Sequence, residues 1–305
     1  MPRTASFAAC TTALLLLWIT VGPFALAQKT DVPQVAQPIP ESTIHNLHRL
    51  GPNLYSGAGP ETEVDFDALK KLGVVTIISV DGAVPNVEAA RSRGMRYVHI
   101  PIQYRGVPID AQRALVAAVR SSEGPVFVHC HHGLHRGPAA AAVCAISTNL
   151  LTNAQAVAFL KQAGTGSQYQ GLYGDVAGFR MLTPDEEKSL PPVVLKESVE
   201  IGSLADAMVR IDALSDELQA RLKAIDSKAV PTTPPAWQDE ATQLHEELQE
   251  AARLLTGNAD LKQKLQTSAD VSLQLSKSAA PVTAAHLFAT LKGQCKNCHA
   301  EYRDK

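Results

Sequence analysis

Pro125-Val126-Phe127-Val128-His129-Cys130-His131-His132-Gly133-Leu134-His135-Arg136-Gly137-Pro138 decides the fold. The apolar run ahead of Cys130 reads as a buried strand, Gly133 sits in mid-loop, and Pro138 opens an Ala-rich helix. Working outward, Val74-Val75-Thr76-Ile77-Ile78-Ser79-Val80 is a β-branched strand, and Tyr97-Val98-His99-Ile100-Pro101-Ile102 is another. Helical stretches alternate with them at Glu63 to Leu72, Asn86 to Arg93, Asp110 to Ser121, Pro138 to Thr148 and Asn153 to Ala163. Alternation of this kind predicts an α/β domain, a mostly parallel sheet with helices on both faces.

Pro184, Pro191 and Pro192, with four charges between them, predict a linker over residues 183–192. After it the pattern is helical throughout. Ile201, Leu204, Met208, Ile211, Leu218, Leu222 and Ile225 keep three-four spacing, interrupted by Ser215. A Pro/Thr turn from Ala229 to Pro235 follows. Trp237, Ala241, Leu244, Leu248, Ala251 and Leu255 repeat the spacing up to Gly257, and Leu261 to Ser276 is a less regular third helix. Ala284, Phe288, Leu291, Cys295, Cys298 and Tyr302 form the stripe of a fourth, entered through Pro281. Four amphipathic helices with short connections predict an all-α four-helix bundle.

The 305 residues have room for both units, and a formal charge of -2 gives no reason to expect nucleic acid as a partner. Arg3 precedes an apolar run from about Phe7 to Leu26, and Ala25-Leu26-Ala27 offers small residues at signal-peptidase spacing. The expectation is an exported, periplasmic chain cut after Ala27; the alternative is an uncleaved anchor. The run is densest at Ala13 to Ile19, and Cys10 precedes that part instead of following it, so a lipoprotein cysteine is not expected. The expected plan is a signal peptide at 1–27, a flexible leader at 28–41, the α/β domain at 42–182, the linker at 183–192 and the helical bundle at 193–305.

Cleavage leaves Cys130, Cys144, Cys295 and Cys298. Cys295-Lys296-Asn297-Cys298-His299 has the C-x-x-C-H spacing of covalent haem c attachment, with the two thiols as thioethers and His299 on the iron. A zinc half-site would need two more ligands, and only His245 and His286 are on offer. In the upstream loop, backbone N–H groups of His131, His132, Gly133, Leu134, His135 and Arg136 are expected to surround a tetrahedral anion. The same field favours the Cys130 thiolate, and Arg136 can clamp two phosphoryl oxygens. Cys144 is expected to be a small buried residue. His131, His132 and His135 could line the anion site, act as a surrogate acid or bind metal with Cys130; His129 is expected to support the loop.

Over about residues 42–180 the chain resembles the cysteine-dependent phosphatases, closest to the dual-specificity type. The likeness rests on the C-x5-R loop, on Leu54-Tyr55-Ser56-Gly57, on the Leu69 to Val80 unit and on Tyr97 to Ile102. It implies in-line attack by Cys130 on phosphorus, a phosphocysteine intermediate and charge stabilisation by Arg136. Two positions depart from that pattern. Gly137 stands where the family has Ser or Thr. The only carboxylate in Gln103-Tyr104-Arg105-Gly106-Val107-Pro108-Ile109-Asp110 is Asp110, either the general acid or an N-cap for the next helix.

Residues 193–305 resemble the cytochrome c′ family, in which a four-helix bundle carries C-x-x-C-H near the end of its last helix. The segment Gly293 to Arg303 looks like that family's attachment segment, including an aromatic–Arg pair. The resemblance implies one haem c held by Cys295, Cys298 and His299, with Arg303 near a haem edge. Met208 is either the second iron ligand or ordinary core. It also implies a periplasmic redox partner or a small gas ligand, and it allows a homodimer through the bundle. The joint expectation is an exported phosphatase-like domain fused to a haem domain, acting on an unidentified phosphorylated substrate. Two alternatives are a rhodanese-like sulfur-handling domain and an inactive anion-binding module in the upstream position.

Overall fold

The computed structural model describes Met1 and residues 35–226 and 237–303. The expected signal peptide, the start of the leader and the Ala229 to Pro235 turn lie outside the described residues. Residues 32–305 form one compact unit. No helix among the described residues is long and apolar enough to cross a membrane.

The first part of this unit contains β1 (Gln37–Pro38), β2 (His48–Gly51), β3 (Leu54–Ala58), α1 (Glu63–Lys71), β4 (Thr76–Ser79), α2 (Val87–Arg91), β5 (Arg96–His99), α3 (Ile109–Arg120), β6 (Val126–Cys130), α4 (Arg136–Ser147), α5 (Asn153–Gln162), α6 (Gln170–Gly178) and α7 (Pro184–Lys188). The sheet order is β1-β2-β3-β6-β4-β5. Strand β6 lies between β3 and β4, parallel to both, and β5 extends the parallel set beyond β4. Strands β1, β2 and β3 pair antiparallel. The sheet is therefore mixed: the expected parallel set is β3, β6, β4 and β5, and an antiparallel edge of β1 and β2 is added to it. The chain from Gly51 to Leu54 is too short for a parallel crossover, so it can only close a hairpin.

The β-branched, apolar sequence of β6 suits its place: all five residues are buried. Side chains alternate between the two faces, so Val126, Val128 and Cys130 enter one core and Phe127 enters the other. The first core is covered by α3 to α6, the second by α1 and α2. Helix α4 is wrapped on nearly every side, and its run of alanines allows the sheet and its helical neighbours to approach closely. Cys144 lies in that helix as packing, fully buried, its thiol pushed up to about 12 by burial.

The expected linker carries structure of its own. Thr183 caps α7 through a reciprocal pairing with Glu186. Arg113 of α3 holds Glu187 at 2.7 Å and the Pro191 carbonyl at 2.9 Å, so this stretch is fastened to the α/β part.

The C-terminal helices are α8 (Leu204–Asp226), α9 (Trp237–Leu254), α10 (Ala259–Lys277) and α11 (Pro281–Tyr302). They pack α8 on α9, α9 on α10, α10 on α11 and α11 back on α8. Their own apolar core includes Ile211, Leu218, Trp237, Leu244, Leu248, Leu265, Phe288 and Leu291, and it shares no residue with the two cores of the sheet. Helix α9 buries more than its apolar stripe: Glu240, Thr242, His245, Glu246 and Glu247 are buried as well.

Phe127 is fully buried and stacks on His129 with ring centres 5.6 Å apart. Phe127→Ala is expected to lower unfolding stability by about 3–5 kcal/mol, read from urea denaturation.

Candidate functional site

Cys130 ends the central strand, and residues 131–135 carry the chain over to α4. The loop carbonyls are tied on one side. Gly59 N–H donates to the His131 carbonyl at 3.1 Å. Asn46 Nδ2 donates to the Gly133 carbonyl at 2.8 Å, and Thr165 Oγ1 to the Leu134 carbonyl at 2.7 Å. The N–H groups of residues 131–136 donate to no backbone carbonyl among the described residues. With its acceptors fastened outward, the loop has donors to offer to an anion.

Gly133 takes φ +68, and a Cβ there would run into the backbone of Gly57 and Ala58. Gly137 has a different reason. A Cβ at this position would lie 2.9 Å from the Cys130 backbone nitrogen and 3.3 Å from its Sγ. A side chain at the position where the dual-specificity pattern has Ser or Thr would crowd the end of β6.

Arg136 is 1% exposed. Its Nη1 donates to the Ile102 carbonyl at 3.1 Å. Its Nη2 faces Asp81 Oδ1 at 3.0 Å, the Tyr104 hydroxyl at 2.9 Å and the Glu250 carboxylate. The Tyr104 ring lies 4.1 Å beneath the guanidinium carbon, a cation–π contact. Nε is buried with no partner. Burial alone would weaken the guanidinium's hold on its proton, but Tyr104, Glu250 and Asp81 outweigh it and keep Arg136 charged. Burial pushes the Asp81 carboxyl up, yet the Arg253 hydrogen bond and the charges of Arg136 and Arg253 hold it well below the usual carboxylate range.

His129 is buried between Tyr97, whose hydroxyl meets Nε2 at 3.0 Å, and the Cys130 carbonyl, 3.4 Å from Nδ1. A carbonyl can only accept, so Nδ1 carries the proton and Nε2 accepts from Tyr97. His129 thus braces the loop, as expected of it. His135 packs on Tyr169, ring centres 4.2 Å apart, with its Nδ1 buried and unpartnered. His131 lies 3.9 Å from Glu61 and 4.2 Å, ring to ring, from the exposed His132. Among the described residues, no three His, Cys, Asp or Glu side chains gather as a metal would require.

Asp110 is placed elsewhere. It lies in the first turn of α3, 83% exposed, with Arg113 at 3.8 Å. It is not the N-cap either, because Pro108 holds that position. None of its contacts reaches the cysteine loop. The residues that do surround Arg136 and went unread in the sequence are Asp81, Tyr104 and Glu250. Asp81 had one legible signal, its place immediately beyond the strand next to β6.

The C-x-x-C-H segment lies in the last turns of α11. Cys295 and Cys298 are unpaired, half-buried and one turn apart, and burial pushes both thiols up. Cys295 packs against the apolar core, and Gln294 Oε1 beside it is buried without a partner. His299 Nδ1 lies 3.3 Å from Arg303. Lys292 reaches Ser215 at 3.5 Å, and Cys295 feels the charge of Asp212, so α8 and α11 run antiparallel. Met208 on α8 is half-buried and packs against the same apolar core as Cys295. The donor set fits a covalent haem c. His245, the alternative zinc ligand, is buried with Nδ1 on the Ala269 carbonyl at 2.8 Å.

Residues 78–149 match the phosphatase-like domain of the beta-lactamase hydrolase-like proteins. The chain is also 26% identical over 156 residues to dual specificity protein phosphatase 1-A of Xenopus laevis, covering 43% of this chain and 40% of that protein. It thus spans well under half the length of this curated relative. Among solved structures, P. aeruginosa TpbA has 24% identity and a TM-score of 0.40, covering 48% of this chain and 92% of that one. TpbA in complex with pTyr has 23% identity and a TM-score of 0.36, covering 49% of this chain and all of that one. The N-terminal part is thus similar to phosphatase-like domains over the stretch that contains the cysteine loop.

Burial depresses His129 and His135 from 6.5 to about 4 each. Between those values the unfolded chain binds protons that the folded chain refuses, so stability falls as pH drops through the window. Calorimetric melting between about pH 7 and pH 4.5 is expected to show a falling Tm, with a shallower fall in His129→Gln.

Proposed function

We propose that the α/β part is a cysteine-dependent phosphomonoesterase, carried on an exported chain whose C-terminal helices form a cytochrome c′-like bundle with one covalent haem c. The observation that carries the enzymatic half is Arg136: a buried, charged guanidinium with a free Nε, beside a cysteine whose loop has its N–H groups unspent. The matched region contains the whole loop and Asp81.

In this reading the loop N–H groups and Arg136 hold the phosphoryl oxygens. Cys130 Sγ attacks phosphorus, the S–P bond forms and the ester P–O bond breaks. The departing oxygen takes its proton from solvent, because Asp110 faces away. Water then attacks phosphorus, the S–P bond breaks and the thiolate returns. Arg136 stabilises the equatorial charge in both displacements. Gly137 offers no hydroxyl to help the thiolate leave, so the second displacement is the slower one.

The natural substrate is a phosphate ester. p-Nitrophenyl phosphate, whose leaving group needs little protonation, is expected to be turned over. Cys130→Ser is expected to abolish the reaction, and Arg136→Lys to slow it about a hundredfold or more. Wild-type protein without any turnover excludes the reading.

The haem half is supported by Cys295, Cys298 and His299 on one helix, with Met208 packed on the same core as Cys295. The thiols would hold the group as thioethers, His299 would bind the iron, and Arg303 would lie near its edge. Bound haem supplies one-electron redox chemistry or a gas-binding site, with a periplasmic redox protein or a small gas as partner. A homodimer through the bundle belongs to the same reading. Protein made alongside a haem-attachment apparatus is expected to stay coloured through a denaturing gel; a colourless product excludes the haem. A high-spin ferric spectrum removes Met208 as a ligand.

A further inference from the structure

Helix α9 is buried on two sides. One carries Trp237, Ala241, Leu244, Leu248 and Ala251 into the core of the C-terminal helices. The other carries Glu246, Glu250 and Arg253, spaced one turn apart, into the surroundings of Arg136. Glu246 accepts from the Tyr104 hydroxyl at 2.8 Å and from the Tyr169 hydroxyl at 3.2 Å. Glu250 pairs with Arg136 Nη2. Arg253 grips both oxygens of Asp81, at 2.8 and 3.1 Å. Gly82 leaves the space: a Cβ there would lie 2.8 Å from Glu250 Oε2.

The acceptors on Arg136 are of two kinds. Ile102, Asp81 and Tyr104 belong to the α/β framework, and they aim the guanidinium. Glu250 comes from another part of the chain and brings a carboxylate to the donor that a phosphoryl oxygen needs. Three carboxylates (Asp81, Glu246, Glu250) here face two guanidiniums (Arg136, Arg253), so an incoming phosphate dianion meets negative charge. Burial, working against the pull of Arg136, raises the Glu250 carboxyl, the mark of an acid held where ionisation is costly.

We infer that Glu250 is an internal competitor for the phosphoryl seat: α9 docks on the cysteine loop as a pseudo-substrate, and phosphate esters bind only when that docking opens. The inference rests on the phosphatase reading. The docking contacts named here are polar or ionic, Arg105 on Glu217 at 2.9 Å included, while the apolar cores on either side share no residue. Opening therefore rehydrates charges and parts Glu246 from the hydroxyls of Tyr104 and Tyr169, two residues at the margin of the sheet's core.

The test uses the full chain. Glu250→Gln removes the charge at constant volume, and Gly82→Ala keeps Glu250 but crowds it out. In Glu250→Gln, KM for p-nitrophenyl phosphate and the inhibition constant of inorganic phosphate are both expected to fall by roughly tenfold or more. Its kcat should change by less than about threefold. Gly82→Ala is expected to shift both constants the same way by a smaller factor, and it carries the test alone if Glu250→Gln does not fold. Unchanged or weaker phosphate binding in the folded variants overturns the inference and leaves the phosphatase reading standing. So does a loss of kcat in Glu250→Gln confined to phenyl phosphate, which would make Glu250 a general acid. If calorimetry finds no phosphate or vanadate binding in any form of the protein, the phosphatase reading falls and the inference with it.

Discussion

A guanidinium cannot be taken out of water unless acceptors replace the water it loses, and the architecture around Arg136 follows from that requirement. Its partners come from three separate places: the segment beyond β5, with the Ile102 carbonyl and the hydroxyl and ring of Tyr104, Asp81 beyond β4, and Glu250 on α9. The parallel strands supply the first two because their carboxyl ends all open on the same side, where β6 delivers the cysteine loop. The two carboxylates do not share Arg136 equally. Asp81 also has Arg253 on both its oxygens and stays firmly ionised. Glu250 receives what remains of the field, and burial dominates its titration.

The loop itself shows a second constraint, one of space. Its carbonyls are anchored by Gly59, Asn46 and Thr165, residues from three distant segments. Asn46 accepts a left-handed backbone, φ 52, to bring its amide to the Gly133 and Ala163 carbonyls together. Gly137 is crowded from another side: a Cβ there would meet the end of β6, 2.9 Å from the Cys130 nitrogen and 3.2 Å from the His129 carbonyl carbon.

What the sequence makes legible is local. The strand before Cys130 can be read because a β-branched apolar run ends at a polar loop with a mid-loop glycine. The four C-terminal helices can be read because their apolar spacing persists for many turns. The β1–β2 edge could not be read, since Gln37–Pro38 is two exposed residues and acquires its meaning only from pairing with His48 and Arg49. Asp110 stood out as the only carboxylate in its loop, yet helix geometry points it to solvent. Asp81 and Glu250 looked ordinary. Asp81 reaches Arg136 across 55 residues and Arg253 across 172, and no local pattern encodes such distances. Glu250 occupies a polar position between two core residues, where a solvated side chain is the default expectation.

That position also dictates how the site can open. Leu248 and Ala251 flank Glu250 and are locked in the core of the C-terminal helices, so α9 cannot turn on its axis without breaking that core. Lifting α9 away from Arg136 therefore means moving the C-terminal helices together, and the pairs of Tyr104 with Glu246, Arg253 with Asp81 and Arg105 with Glu217 part in the same movement. Helix α11 packs on α8 and α10, and both pack on α9. A rearrangement around Cys295 and His299 thus has a continuous packed route to Glu250. Through that shared core, the segment that fits a haem and the carboxylate lodged against the cysteine loop belong to one mechanical body.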